Sequence, residues 1–376
     1  MKLFKRICAV LITAAVALTA SGCGGQTRMM FGTGGTAGTY YSYGGVIAQY
    51  MSTYSDAKVT AVSTGGSKVN IQSIQDGDFQ LGFAQSDVLA YAWNGTKSFE
   101  KDGPTHDFRV LGGLYAETVQ LITMKDSIKT VADLKGKSVS IGEAGSGVYF
   151  NAMDVLNAAG ITINDIKPQY QSFEDSKESL KDGKIDAAFI VAGAPTTAIT
   201  ELATTNGVHL INIDGDLRDK ILKEDPYYTA LQIPANTYPK QTDPVDTITV
   251  KATVLVSASL SDDLVYQLTA AVFDHADDIA KENAKGAELN LKTATEGMEA
   301  PFHKGAARYY KEHGIIVNTS EDAAGTEPKT EQDADVYSAD SDAAGDTQAS
   351  AAAASSMPDV SDSTAQNTPA GQTAQE

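Results

Sequence analysis

The residue types that carry most enzyme chemistry are thinly spread in this sequence. His106, His209, His275, His303 and His313 stand apart without metal-ligand spacing, there is no Gly-x-Ser-x-Gly elbow, and both cysteines, Cys8 and Cys23, lie near the N-terminus. No catalytic residue, metal or cofactor is expected, and the chain does not read as an enzyme. What the sequence concentrates instead is glycine, serine and threonine in three turns: Gly32-Thr33-Gly34-Gly35-Thr36-Ala37-Gly38-Thr39, Ser63-Thr64-Gly65-Gly66-Ser67 and Gly142-Glu143-Ala144-Gly145-Ser146-Gly147. At the start of a helix such a turn offers free N–H groups, the positive end of the helix dipole and hydroxyl donors, which together hold carboxylate or phosphate oxygens without a charged side chain. One turn of this kind is as well read as a tight connection with an N-cap; three at equivalent places point to a small anion. Gly32, Gly34 and Gly35 are off register for a dinucleotide fingerprint, and no acidic residue follows Val62, which argues against a nicotinamide cofactor.

Other polar residues could join these turns. Gln85 is the better contact candidate in Gln85-Ser86-Asp87, where Ser86 or Asp87 either caps the next helix or meets a ligand. Of Tyr40, Tyr41 and Tyr43 at least one belongs in the core, while a phenol beside an anion is a useful donor. Glu117 either receives an ammonium group or is an exposed carboxylate. His303 and Arg109 read as structural and Trp93 as core.

The elements that must position these residues repeat. A strand at 29–31, a helix at 40–54, a strand at 58–62, a helix at 69–75 and a strand running from Asp76-Gly77 to Ala84 give β-α-β-α-β. The same order returns as strand 138–141, helix 148–159, strand 168–171, helix 174–181 and a strand beginning Asp182-Gly183. Asp-Gly-Asp-Phe-Gln-Leu-Gly-Phe from Asp76 aligns without a gap on Asp-Gly-Lys-Ile-Asp-Ala-Ala-Phe from Asp182. Alternating strands and helices imply parallel sheets, so the fold class is α/β with two lobes. Strands at 119–124 and 247–256 are expected to connect the lobes, and helices at 264–282 and 305–312 to pack back on the first. All three turns then lie at the carboxyl ends of strands, the ligand side of such sheets.

The N-terminus carries Lys2, Lys5 and Arg6, an apolar run at 7–18 and small residues before Cys23. This reads as a secretory signal, and Ala20-Ser21-Gly22-Cys23 resembles a bacterial lipobox that would lipidate Cys23 and tether the chain to the outer face of the cytoplasmic membrane. The formal charge of −19 divides into +3 in the signal, −11 over 24–320 and −11 over 321–376. An acidic body and tail argue against nucleic acid as a partner. The tail, poor in aromatic residues and rich in Ala, Ser, Thr and Asp, is expected to be disordered. The expected organisation is therefore a signal at 1–22, a lipidated N-terminus and spacer at 23–28, lobe 1 at 29–117 plus 257–320, lobe 2 at 118–256 with the hinge strands, and an acidic tail at 321–376.

Phe31 to Tyr41, Ser63 to Ser67 with Asn70, Gln85-Ser86-Asp87, Asp133-Leu134-Lys135-Gly136-Lys137, Gly145-Ser146-Gly147 and Ala192-Gly193-Ala194-Pro195 together resemble the TAXI family of TRAP transporter solute receptors, over roughly 29–314. The resemblance implies a type II periplasmic-binding-protein-like fold that closes on a solute. The monomer would deliver a small anionic or zwitterionic metabolite, of the glutamate, glutamine or 2-oxoglutarate kind, to a TRAP-type permease. It implies contacts from Gly34, Gly35, Thr39 and Tyr40 in the first turn, Thr64, Gly65 and Ser67 in the second, Gln85, and Ser146 and Gly147 across the cleft. Departures at Lys68-Val69, Tyr115-Ala116-Glu117 and Val148-Tyr149 bear on the solute rather than the fold. A ligand-sensing lipoprotein that signals to a membrane partner is the alternative function.

Overall fold

The chain opens with β1 (Thr27–Gly32), whose inward residues Met29 and Phe31 are buried, followed by α1 (Thr39–Tyr54), β2 (Ala57–Val62), α2 (Ser67–Gln75), β3 (Leu81–Gln85) and α3 (Ser86–Asn94). The long β4 (Phe108–Thr123) leads to β5 (Ser138–Ser140), α4 (Gly147–Ala158), β6 (Lys167–Gln169), α5 (Phe173–Lys181), β7 (Ala187–Ala192) and α6 (Thr197–Thr205). Then come β8 (His209–Ile211), α7 (Gly215–Glu224), β9 (Thr229–Ile233), β10 (Val245–Ser257), α8 (Asp262–Phe273), α9 (Ala276–Glu282) and α10 (Lys304–Glu312). In this computed structural model the described residues are 26–320 and 329–330; the expected signal, Cys23 and most of the acidic tail lie outside them.

The sheet order is palindromic, β2-β1-β3-β10-β4-β7-β5-β6. β1 is parallel to β2 and β3, β5 is parallel to β6 and β7, and each trio is closed by an antiparallel strand, β10 against β3 and β4 against β7. The strand that leaves the first half thus completes the sheet of the second, and the strand that leaves the second completes the first. β4 and β10 pair with each other from Thr249↔Thr118 to Ser257↔Phe108, which makes them the connection between halves. This is the two-lobed α/β plan of a type II periplasmic binding protein.

β3 and β7 are buried at every residue, the continuous apolar run expected of strands covered on both faces. Each half keeps its own core. One core joins Phe31, Phe83, Val110 and Leu255 to Phe273, Tyr309 and Tyr310 from the last helices; others join Val139, Leu156 and Phe189, and Ile190, Ile199 and Tyr238, in the second half. The last helix is anchored by His303, whose Nδ1 accepts from Gly305 N at 3.1 Å, and by Tyr310, whose hydroxyl donates to Leu111 O at 3.1 Å. The helix expected over 264–282 is two helices. It breaks at Asp274-His275, where the Tyr309 hydroxyl donates to Asp274 at 2.6 Å and the His275 ring stacks on Tyr54 at 3.7 Å.

Candidate functional site

Three helix N-termini converge between the halves: Gly38 is the N-cap of α1, Gly66 of α2 and Ser146 of α4. None of these starts is capped by a side chain among the described residues, whereas Ser172 and Ser261 cap α5 and α8. Side chains therefore leave the dipoles of these starts open, although in α2 the Lys68 N–H is taken by Gly145 O. Gly66 has φ +102° and ψ −150°, a conformation that only glycine adopts without strain, and this bend aims the start of α2 at the turn before α4.

These termini line a cavity of about 60 Å³. The structure brings to it Gly34, Gly35, Thr39 and Tyr40 from the first turn, Gly65 and Ser67 from the second, Gln85 from the end of β3, and Ser146 and Gly147 from the second half. Thr64, the remaining residue of the expected set, does not line it. Its hydroxyl donates to Asn70 Oδ1 at 2.7 Å, lies 3.1 Å from Thr33 O and accepts from Gly66 N at 3.1 Å, so it braces the turn from behind. Asn70, fully buried, completes the brace by donating to Thr33 O and Phe83 O.

Gln85 is the best placed of the polar side chains. Its backbone N donates to Ser67 Oγ at 3.2 Å and its Nε2 to Glu117 Oε2 at 3.2 Å, while its Oε1 is buried with no partner among the described residues. Glu117 is buried, not the exposed carboxylate that was its alternative reading, and it also accepts from the Tyr115 hydroxyl at 3.0 Å. Burial raises its carboxyl to about 8, against the pull of Gln85 and Tyr115 in the other direction. No lysine or arginine is among the described residues that line the cavity, so its described wall supplies no cation to hold Glu117 ionised. Tyr40 stacks its ring on Phe83 at 4.5 Å, and burial, then Glu117, keeps its phenol neutral. Tyr43 is the core tyrosine and Tyr41 is exposed. Neither Ser86 nor Asp87 caps α3 through its side chain: Ser86 Oγ accepts from Lys251 N and Asp87 accepts from Asn151.

The halves touch around the cavity. Lys68 N donates to Gly145 O at 3.3 Å, Thr39 Oγ1 to Gly193 O at 3.1 Å and Ala198 N to Ala37 O at 3.4 Å. A Cβ on Gly147 would sit 1.7 Å from Gln85 Oε1, so any side chain here would displace the Gln85 amide. The second half adds Gln171, Phe173, Val191 and Ala192, which the sequence reading missed. The repeat held the signal for one of them, since Val191 occupies in the second Asp-Gly segment the place of Gln85 in the first.

A family model described as the NMT1-like family matches residues 31–314, three quarters of the chain and nearly every element described above. The chain belongs to the NMT1-like family. Among curated proteins, this NMT1-like chain is 36% identical over 69 residues to the putative aliphatic sulfonates-binding protein of Escherichia coli (strain K12), covering 18% of this chain and 21% of that protein. It thus spans about a fifth of the length of that relative. Among solved structures, the alkanesulfonate-binding protein SsuA of Xanthomonas axonopodis pv. citri is 19% identical over 76% of this chain and 83% of that one, with a TM-score of 0.44. The GluR0 ligand-binding core of Nostoc punctiforme in complex with L-glutamate is 14% identical over 69% of this chain and all of that one, with a TM-score of 0.43.

Proposed function

We propose that this NMT1-like protein is an extracytoplasmic solute-binding lipoprotein of the TAXI kind, tethered through Cys23, that closes lobe 1 (29–117 with 257–320) and lobe 2 (118–256) on a small carboxylate-bearing metabolite. The observation that carries this reading is the convergence of three helix N-termini without side-chain caps on one interlobe cavity lined by no lysine or arginine among the described residues. Such a site favours an anion held by backbone and hydroxyl donors. Glu117, buried without a cation, favours a solute that brings its own ammonium group, so glutamate and glutamine rank ahead of 2-oxoglutarate within the proposed set. Closure would present the loaded monomer to a TRAP-type permease.

Thermal unfolding against amino acids, dicarboxylates, keto acids and alkanesulfonates tests this. A true solute at 100 times its dissociation constant adds about 2.7 kcal/mol of stability. A shift with an amino acid that is lost in Ser67→Ala and Gln85→Ala supports the reading; a shift with alkanesulfonates alone moves the solute to the class named for the E. coli relative; no shift with any compound overturns it. Incorporation of radiolabelled palmitate, lost in Cys23→Ala, tests the anchor.

A further inference from the structure

Beyond the cavity, one helical turn farther along α4, a second polar cluster joins the halves and has no part in the binding chemistry above. The first half contributes Asp87 and Tyr91 of α3 and Lys97, which follows that helix; the second contributes Asn151 and Asp154 of α4 with Asp225 and Tyr228, which follow α7. Lys97 Nζ lies 3.3 Å from Asp154 Oδ1 and 3.1 Å from Asp225 Oδ2, and donates to the Tyr91 hydroxyl at 2.7 Å. The Tyr91 hydroxyl donates to Asp225 at 3.2 Å. Asn151 Nδ2 donates to Asp87 Oδ2 at 3.0 Å and to the Tyr228 hydroxyl at 2.8 Å, and that hydroxyl donates to Asp154 at 3.0 Å. The bonds form one continuous chain that crosses between the halves at Asp87, at Tyr91 and at Lys97.

Lys97 has φ +45°, in the left-handed region that a lysine occupies only when its surroundings impose it, and its ammonium sits 4.4 Å from the Tyr91 ring centroid. Tyr91 meets Phe150 and Tyr227 of the second half edge to face.

We propose that this cluster is an interlobe latch, separate from the solute contacts, that favours the closed form even without solute and so sets the affinity for every solute by the same factor. The inference rests on the reading of the cavity as a cleft that opens and closes. Asp154 and Asp225 face the ammonium of Lys97, and Asp87 joins them through Asn151. Burial, and then Asp154 and Asp225, push Asp87 up to about 7; burial raises Asp154 as well, with Lys97 opposing. The phenols of Tyr91, Tyr227 and Tyr228 are held neutral, Glu299 faces Tyr227, and Glu117 and Tyr40 face Asp87 from the cavity side. Opening returns Asp87 to water and toward the ordinary value of about 4, so closing takes up a proton and is favoured as pH falls from about 7 to about 4.

Electron–electron distance measurements on the ligand-free full chain test the latch, with spin labels on unnatural amino acids at the exposed positions 58 and 181. The expected result is a closed spacing populated by the parent protein, more at about pH 6 than at about pH 8. Lys97→Ala should lower the closed-to-open ratio by about tenfold, Lys97→Arg should preserve it, and Asp87→Asn should remove its pH dependence. No closed spacing in the parent, or identical distributions in Lys97→Ala and Asp154→Ala proteins whose circular dichroism shows them folded, would overturn the proposal. Because no solute is used, a failure of the latch and a failure of the solute panel are read independently.

Discussion

Gln85 and Val191 stand at the same place in the two repeats, the last residue of β3 and the penultimate residue of β7, and both line the cavity. Around Gln85 the first half presents Ser67, Tyr40 and Glu117; around Val191 the second presents Ala192, Val148 and Phe173, with Glu143, Ser146 and Gln171 as its polar contribution. One duplicated plan has therefore produced a recognising wall and an excluding wall. The hydrogen bonds of Gln85, from its N to Ser67 Oγ and from its Nε2 to Glu117, lie within the first half, so these groups are oriented before the second half arrives. The apolar wall removes water, which strengthens every electrostatic contact on the polar one.

Replacing Gln85 with its repeat counterpart erases the contrast and should have the largest effect. Gln85→Val removes the amide donor of Glu117 and is expected to weaken binding of the solute found by the melting panel by about 100-fold, or about 3 kcal/mol, in titration calorimetry. A loss below about threefold would mean that this wall does not recognise the solute. Gly147→Ala attacks the meeting of the walls. Its Cβ collides with Gln85 Oε1 on closure, so affinity should fall by about 30-fold while the melting temperature of the unliganded chain moves by less than about 2 °C, because each half keeps its own core.

Glu117 sharpens the comparison through pH. Its folded value of about 8 lies above the ordinary value of 4.5, so the folded state binds more protons between them and stability falls as pH rises through that window, by at most about 1.4 kcal/mol per unit. Glu117→Gln should flatten that slope in urea unfolding measured from pH 5 to pH 8, and should weaken an amino acid more than its keto-acid analogue. An unchanged slope would show that Glu117 is already ionised in the folded protein. The smallest effect belongs to the excluding wall: Val191→Ala trims an apolar surface and is expected to cost about 1 kcal/mol in affinity, with no change in which solutes bind.

Much of this arrangement was legible in the residues. The Asp-Gly repeat announced two halves of one plan, and the Gly/Ser/Thr turns marked the strand ends where the cavity forms, because strand alternation, helix periodicity and turn chemistry are properties of short segments. Thr64 shows where that reading stops: its type suits a ligand contact, yet the turn rotates its hydroxyl onto Thr33 and Asn70. Gln171 and Phe173 carried no turn signature and entered the site only because the second half closes over the first.

By itself, then, the sequence determined the order of the elements within the two repeats, the repeat itself and the three turns able to hold an anion. The tertiary structure decided which side of each turn meets the cavity, that Glu117 is buried rather than exposed, that Gly147 touches Gln85 and that Lys97 reaches Asp154 and Asp225. The physical reason is distance along the chain. A turn is dictated by neighbours a few residues away, whereas desolvation and contact between halves arise from residues 30 to more than 100 positions apart, which no local pattern records.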